Sequence, residues 1–167
     1  MVVVFITTGF TVSKRIETMI KKEITKVFNI ETFTKETITI EAEVNETLPV
    51  KISDTNFFKI INENKTIGYY FLGHAYGKAD YFDFIVIFDK DLIVSKIKVL
   101  VYREDHGGEV GSKRWLKQFI GITTDTELKY QDNIIGISGA TISVESMTNE
   151  VNNILKTVHK LNTKNLL

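Results

Sequence analysis

Residues 81–102 read YFDFIVIFDKDLIVSKIKVLVY. Tyr81 to Phe88 is an almost unbroken apolar, aromatic and β-branched run, the composition of a strong strand. Asp89-Lys90-Asp91 supplies turn chemistry. From Leu92 to Tyr102 apolar residues alternate with Ser and Lys, and Ile93, Ser95, Ile97, Val99 and Val101 would share one side. The two runs predict a hairpin.

More strands precede it. Thr32 to Val44 alternates Phe33, Ile38, Ile40, Ala42 and Val44 with polar residues and predicts a strand. A turn at Leu48-Pro49 follows, then strands near Asn56 to Asn62 and Thr66 to His74, separated by Glu63-Asn64-Lys65. Tyr76-Gly77-Lys78 breaks the pattern. Helical spacing appears at Ser13 to Phe28 (Ile16, Ile20, Ile24, Val27), with Ser13 as N-cap and Glu17 in the first turns. It returns at Ser112 to Ile120 and at Ser143 to His159, where Val144, Met147, Val151, Ile154, Leu155 and Val158 form one stripe. Thr123 to Asn133 reads as a long polar loop. The fold class expected is α+β: a mostly antiparallel sheet with packed helices.

Composition narrows the function. The 167 residues suit a single domain, and 43% apolar with 25% charged is the balance of a folded protein. Acidic and basic side chains number 21 each, which argues against a nucleic-acid partner. With no cysteine, disulfides, thiolate metal sites and Cys nucleophiles are excluded. The three His are scattered, so no His-rich metal site is expected. Met1 to Val12 (MVVVFITTGFTV) is apolar but shorter than the ~20 residues of a membrane-spanning helix. It reads as a first strand or as a signal remnant. Residues 1–30 are therefore set apart as an N-terminal segment and helix, and 31–160 as the main domain.

The chemistry-bearing stretch is Gly136-Ile137-Ser138-Gly139-Ala140-Thr141-Ile142-Ser143. Small residues and hydroxyls stand just before a long helix, whose start offers unpaired N–H groups and partial positive charge to an anion such as phosphate. An ordinary capped helix start reads the same way. Upstream, Glu104-Asp105-His106-Gly107-Gly108-Glu109 forms an acidic, glycine-rich loop: a ligand-site wall, a weak carboxylate–His metal site, or a solvated turn. Trp115 and Tyr76 could stack on a ring or sit in ordinary packing. His74 reads as structural. Ser138 has no evident His–Asp partner for a hydrolase mechanism.

Ser138-Gly139-Ala140-Thr141 with Ile142-Ser143 resembles the flavinylation motif of the FMN-binding domain family. That family includes the C subunit of the sodium-translocating NADH:quinone reductase and the G subunit of the Rnf electron-transport complex. Glu104 to Gly111, followed by Trp115-Leu116 and Gln118-Phe119, resembles the family's Glu-Thr-x-Gly-x-Gly loop. Ile135 stands where the family often has an acidic residue, and Asp105-His106 replaces Thr-Pro. The resemblance implies FMN as cofactor, bound by Ser138, Gly139, Ala140, Thr141, Ile142, Glu104, Gly107, Gly108 and Trp115, with Thr141 carrying it through a phosphoester made by a flavin transferase. It implies an extracytoplasmic electron carrier working with a membrane redox complex or a small carrier, rather than an enzyme with a catalytic residue of its own. A reductase with noncovalent FMN and a non-flavin interaction module are the alternatives.

Overall fold

The computed structural model describes residues 13–167; the apolar segment Met1 to Val12 lies outside them. Helix α1 (Lys14–Phe28) opens the described chain, with the Ser13 hydroxyl accepting from the Ile16 N–H at 3.4 Å. Five strands follow in antiparallel order β1-β2-β3-β4-β5: β1 (Thr34–Thr37), β2 (Phe57–Asn62), β3 (Lys65–Tyr76), β4 (Tyr81–Asp89) and β5 (Val94–Val101). A short helix α2 (Ala42–Glu46) lies between β1 and β2. After β5 come a 3₁₀ turn (Gly108–Gly111), helix α3 (Lys113–Leu116), a second 3₁₀ turn (Lys117–Phe119) and the long helix α4 (Thr141–Thr163). The class is α+β, as expected.

β4 is buried on both faces, and this fixes the layering. Phe82, Phe84, Val86 and Phe88 join the core under α4, with Phe57, Phe71, Val94 and Ile97 from neighbouring strands. Ile85 and Ile87 join the opposite core, with Phe58, Ile60 and Tyr70, beneath Ile20 and Ile24 of α1. Each face needs a helix to exclude water. α1 is also tied down electrostatically: Glu23, itself buried, meets Lys98 at 2.5 Å and Lys96 at 3.9 Å on β5.

Several boundaries differ from the sequence reading. The expected strand Thr32 to Val44 is only Thr34–Thr37, and Ala42–Glu46 is helical. That strand is exposed along its length, so alternation there reflects no buried face. On β5 the buried residues are Val94, Ile97 and Leu100 rather than an odd-numbered set. Two register shifts against β4 cause this, because an extra residue in one strand moves its side chains to the other face. The helix at Ser112 to Ile120 is a single α turn with 3₁₀ turns around it. β3 continues through Tyr76. α4 begins at Thr141, two residues earlier than its apolar stripe suggests.

Two contacts place α4. Its stripe from Val144 to Val158 is fully buried, and Leu161 extends it. Near its start, the Ser146 hydroxyl accepts the Tyr76 N–H at 2.8 Å, which joins the helix to the end of β3. The Thr157 hydroxyl takes the Val50 N–H at 2.9 Å further along.

Gly68 on β3 has no room for a side chain: a Cβ would stand 2.3 Å from the Phe88 carbonyl oxygen and 2.5 Å from the Phe28 ring of α1. Gly68→Ala is expected to lower unfolding free energy by about 1–3 kcal/mol, the usual scale of overpacking, as read by urea denaturation. A second test concerns charge. Burial pushes the Glu150 carboxyl on α4 up, and the neighbouring His74 opposes this. A raised carboxyl favours the folded state below its ordinary range and loses that advantage as pH rises through the raised value. Glu150→Gln is therefore expected to be more stable than wild type near neutral pH, with the gap closing toward acid pH. Urea midpoints across that pH range check it.

Candidate functional site

A groove of about 840 Å³ opens where the β3–β4 turn, the segment after β5 and the start of α4 come together. Its lining includes Lys78, Ala79 and Asp80 from the turn, Arg103 to Gly107 after β5, and Gly139 to Ser143 at the start of α4. The volume falls in the ~300–1,000 Å³ range of small-ligand sites.

At α4 the chain presents an open helix end. Ala140 occupies the N-cap position without a side-chain cap, and the first backbone bond into the helix runs from the Val144 N–H to the Ala140 carbonyl at 3.0 Å. The N–H groups of Thr141, Ile142 and Ser143 therefore have no acceptor within the helix. Thr141 is exposed on its first turn, and Ile142 is 51% exposed beside it. Gly139 has φ +80°, a backbone that glycine adopts readily, and nothing lies within 4 Å of where its Cβ would be.

The upstream glycine loop is fitted against this helix end. Gly107 also has φ +80°; a Cβ there would meet the Tyr102 hydroxyl at 2.7 Å and Ala140 and Ser143 at 3.6 Å. The Tyr102 hydroxyl donates to the His106 carbonyl at 2.6 Å and holds the loop closed. Glu104 lines the groove, but its Oε1 accepts from the Ala79 N–H at 2.9 Å and the Asp80 N–H at 3.1 Å. Those N–H groups hold its carboxyl below the ordinary carboxylate range, against the opposing effect of desolvation. Arg103 donates to the Tyr81 carbonyl at 2.9 Å and pairs with Asp83.

Of the nine residues singled out from sequence, Glu104, Gly107, Gly139, Ala140, Thr141 and Ile142 converge on the groove. Ser138 is exposed one residue before it. Gly108 stands over the Tyr102 ring, where a Cβ would be 3.9 Å away. Trp115 is elsewhere. It is buried in the core under α4, edge-on to Phe119 at 5.1 Å, and its indole N–H donates to the Ile135 carbonyl at 2.7 Å. Tyr76, the other stacking candidate, is half-exposed and packs edge-on against Tyr81 at 4.9 Å. Among the described residues no group of three or more His, Asp or Glu is arranged to hold a metal.

Sequence reasoning missed Lys78, Asp80 and Arg103 in the groove, as well as the clamp on Ile135. Gln118 accepts the Ile135 N–H at 2.8 Å while its own amide donates to the Trp115 carbonyl at 3.0 Å. Both backbone groups of Ile135 are thus held, and its side chain is left 73% exposed. The next residue, Gly136, lies against the Tyr130 ring, where a Cβ would come within 2.7 Å. The segment leading into Thr141 is thereby fixed from the core side. The nearest sequence signal was the Gln118-Phe119 pair, which gave no hint of its partner.

An open helix end, an exposed threonine and the free space beside Gly139 suit a phosphate-bearing ligand, with Lys78 at the rim and Arg103 already paired with Asp83. The residues present therefore fit FMN. Residues 77–156 match the model of the FMN-binding domain family, just under half the chain and the whole of this groove. This match indicates FMN as the cofactor. No curated protein matches the chain.

Trp115→Phe removes the bond to the buried side of Ile135. It is expected to cost about 1–3 kcal/mol of stability by urea denaturation. The visible absorption bands of bound FMN should stay where they are; a displaced band would put the indole on the ring instead.

Proposed function

We propose that this protein is an electron carrier whose FMN lies in the groove at the start of α4 and is joined through its phosphate to Thr141. The observation that carries the reading is the exposed Thr141 hydroxyl on an uncapped helix end, opening into that groove. When bound, FMN supplies one- and two-electron transfer. The chain's own residues hold it. The free N–H groups of Thr141, Ile142 and Ser143, with the positive end of the α4 dipole, offset phosphate charge. Ala140 and Ile142 offer apolar contact, and Lys78 adds positive charge at the groove.

The resemblance of Ser138 to Thr141 to the flavinylation motif supports a covalent bond. In that chemistry the threonine hydroxyl gives up its proton and forms an ester to the FMN phosphorus of FAD, with AMP as leaving group, under a flavin transferase. Carrier rather than enzyme is favoured because two charged groups of the groove are already engaged: Glu104 by backbone N–H groups and Arg103 by Asp83. The partners in this reading are a membrane redox complex or a small carrier outside the cytoplasm. Among the described residues no helix is long and apolar enough to cross a membrane.

Co-expression with a flavin transferase, followed by intact-mass measurement, tests the assignment. Wild type is expected to gain the mass of one FMN less one water and to stay yellow after acid precipitation. Thr141→Ala should show neither. An equal gain in Thr141→Ala would move the bond to another residue, and a wild type that gains nothing would leave FMN noncovalent.

A further inference from the structure

The turn between β3 and β4 is built around a side chain from elsewhere. The Gly77 N–H donates to the Asp80 carbonyl at 2.8 Å and closes the turn. The N–H groups of Ala79 and Asp80 point to the same Glu104 oxygen, at 2.9 and 3.1 Å. Successive backbone N–H groups converging on one point form an anion-binding nest, and here the anion is Glu104. The fit depends on glycine. A Cβ on Gly77 would stand 2.1 Å from Glu104 Oε1 and 2.7 Å from Cδ. That turn, with Lys78 in it, lines the FMN groove.

We propose that Glu104 is a positioning residue: it fills the nest of the Lys78–Asp80 turn, fixes that turn as a wall of the FMN groove, and so sets where the Lys78 ammonium stands relative to the cofactor. This rests on FMN occupying the groove. It differs from a role in which Glu104 acts on the flavin by its own charge. Its Oε1 is committed to two backbone donors of the turn, which ties the carboxylate to the turn first. Charge-assisted bonds of this kind are roughly twice as strong as neutral ones, so the nest keeps its anion. Without it, neighbouring N–H groups would face one another with no acceptor, and the turn would have to open to water.

The two roles separate through Gly77, because Gly77→Ala leaves the charge of the site unchanged. It should displace the carboxylate from the nest by bulk alone. Glu104→Ala removes the carboxylate, and Glu104→Gln keeps its shape with weaker acceptors. Amide hydrogen exchange at residues 78–80 by NMR reads the turn. FMN midpoint potential and the rate of FMN loss from noncovalently loaded protein read the groove. Lys78→Met provides the reference for losing the ammonium.

Gly77→Ala and Glu104→Ala are expected to speed exchange at Ala79 and Asp80 at least ~10-fold, with Glu104→Gln in between. Both should move the potential in the same direction as Lys78→Met and speed FMN loss. Circular dichroism confirms that each variant is folded, and Glu104→Gln carries the test if the alanine variants are not. Unchanged exchange in the Glu104 variants overturns the nest. A potential that rises in Glu104→Gln but does not respond to Gly77→Ala overturns positioning in favour of direct charge. A Lys78→Met effect without any Glu104 or Gly77 effect sinks this inference while FMN stays in the groove. If none of these variants, Lys78→Met included, moves potential or FMN loss while wild type binds FMN, the cofactor lies elsewhere and the groove assignment falls too.

Discussion

β4 has apolar side chains on both faces, and neither face can be left in water. That one constraint organises the molecule. Phe82, Phe84, Val86 and Phe88 need cover on one side, Ile85 and Ile87 on the other. Burying side chains of this size contributes roughly 1.5–3 kcal/mol each, enough to draw a helix onto each face. α4 supplies the first cover and α1 the second. The position of α4 is thus a consequence of core burial, and the start of α4 is where the candidate groove forms.

Packing alone would let a helix slide, and hydrogen bonds between unlike elements fix where α4 stops. Ser146 takes the N–H of Tyr76, the last residue of β3. Asn152 reads both backbone groups of Leu128, accepting from its N–H at 2.8 Å and donating to its carbonyl at 2.6 Å. Trp115 and Gln118 hold both backbone groups of Ile135. The irregular stretch between α3 and α4 is therefore anchored by side chains rather than by a ladder. Polar groups in such a segment must find partners when they are buried, and these do. The result is a helix end whose own N–H groups are left open while its surroundings are satisfied.

The groove also shows how a residue's type can suggest one role and its partners another. Glu104 in a glycine-rich acidic loop invites a reading as an electrostatic neighbour of the ligand. Its hydrogen bonds go to the β3–β4 turn. Trp115 invites a stacking role, yet its indole N–H reaches Ile135 and its ring lies against Phe119. Ile135, set where an acidic residue was expected, contributes its backbone to the clamp and leaves its side chain in solvent.

What the sequence determined by itself was local or periodic. The β4–β5 hairpin, the strands β2 and β3, the helices α1 and α4 and the α+β class are written in hydrophobic period and turn chemistry, which neighbouring residues carry. The motif from Ser138 to Thr141 was legible for the same reason, as four adjacent residues. The short extent of β1, the shifted buried face of β5 and the early start of α4 were not. A bulge or an exposed edge depends on what the partner strand does. Lys78, Asp80 and Arg103 entered the groove only through the tertiary structure, because no spacing rule links the β3–β4 turn to a helix that begins some sixty residues later. Thr141 could be named from its neighbours; that its hydroxyl stands exposed at an uncapped helix end, beside a turn held by Glu104, was decided by which backbone groups the fold left without partners.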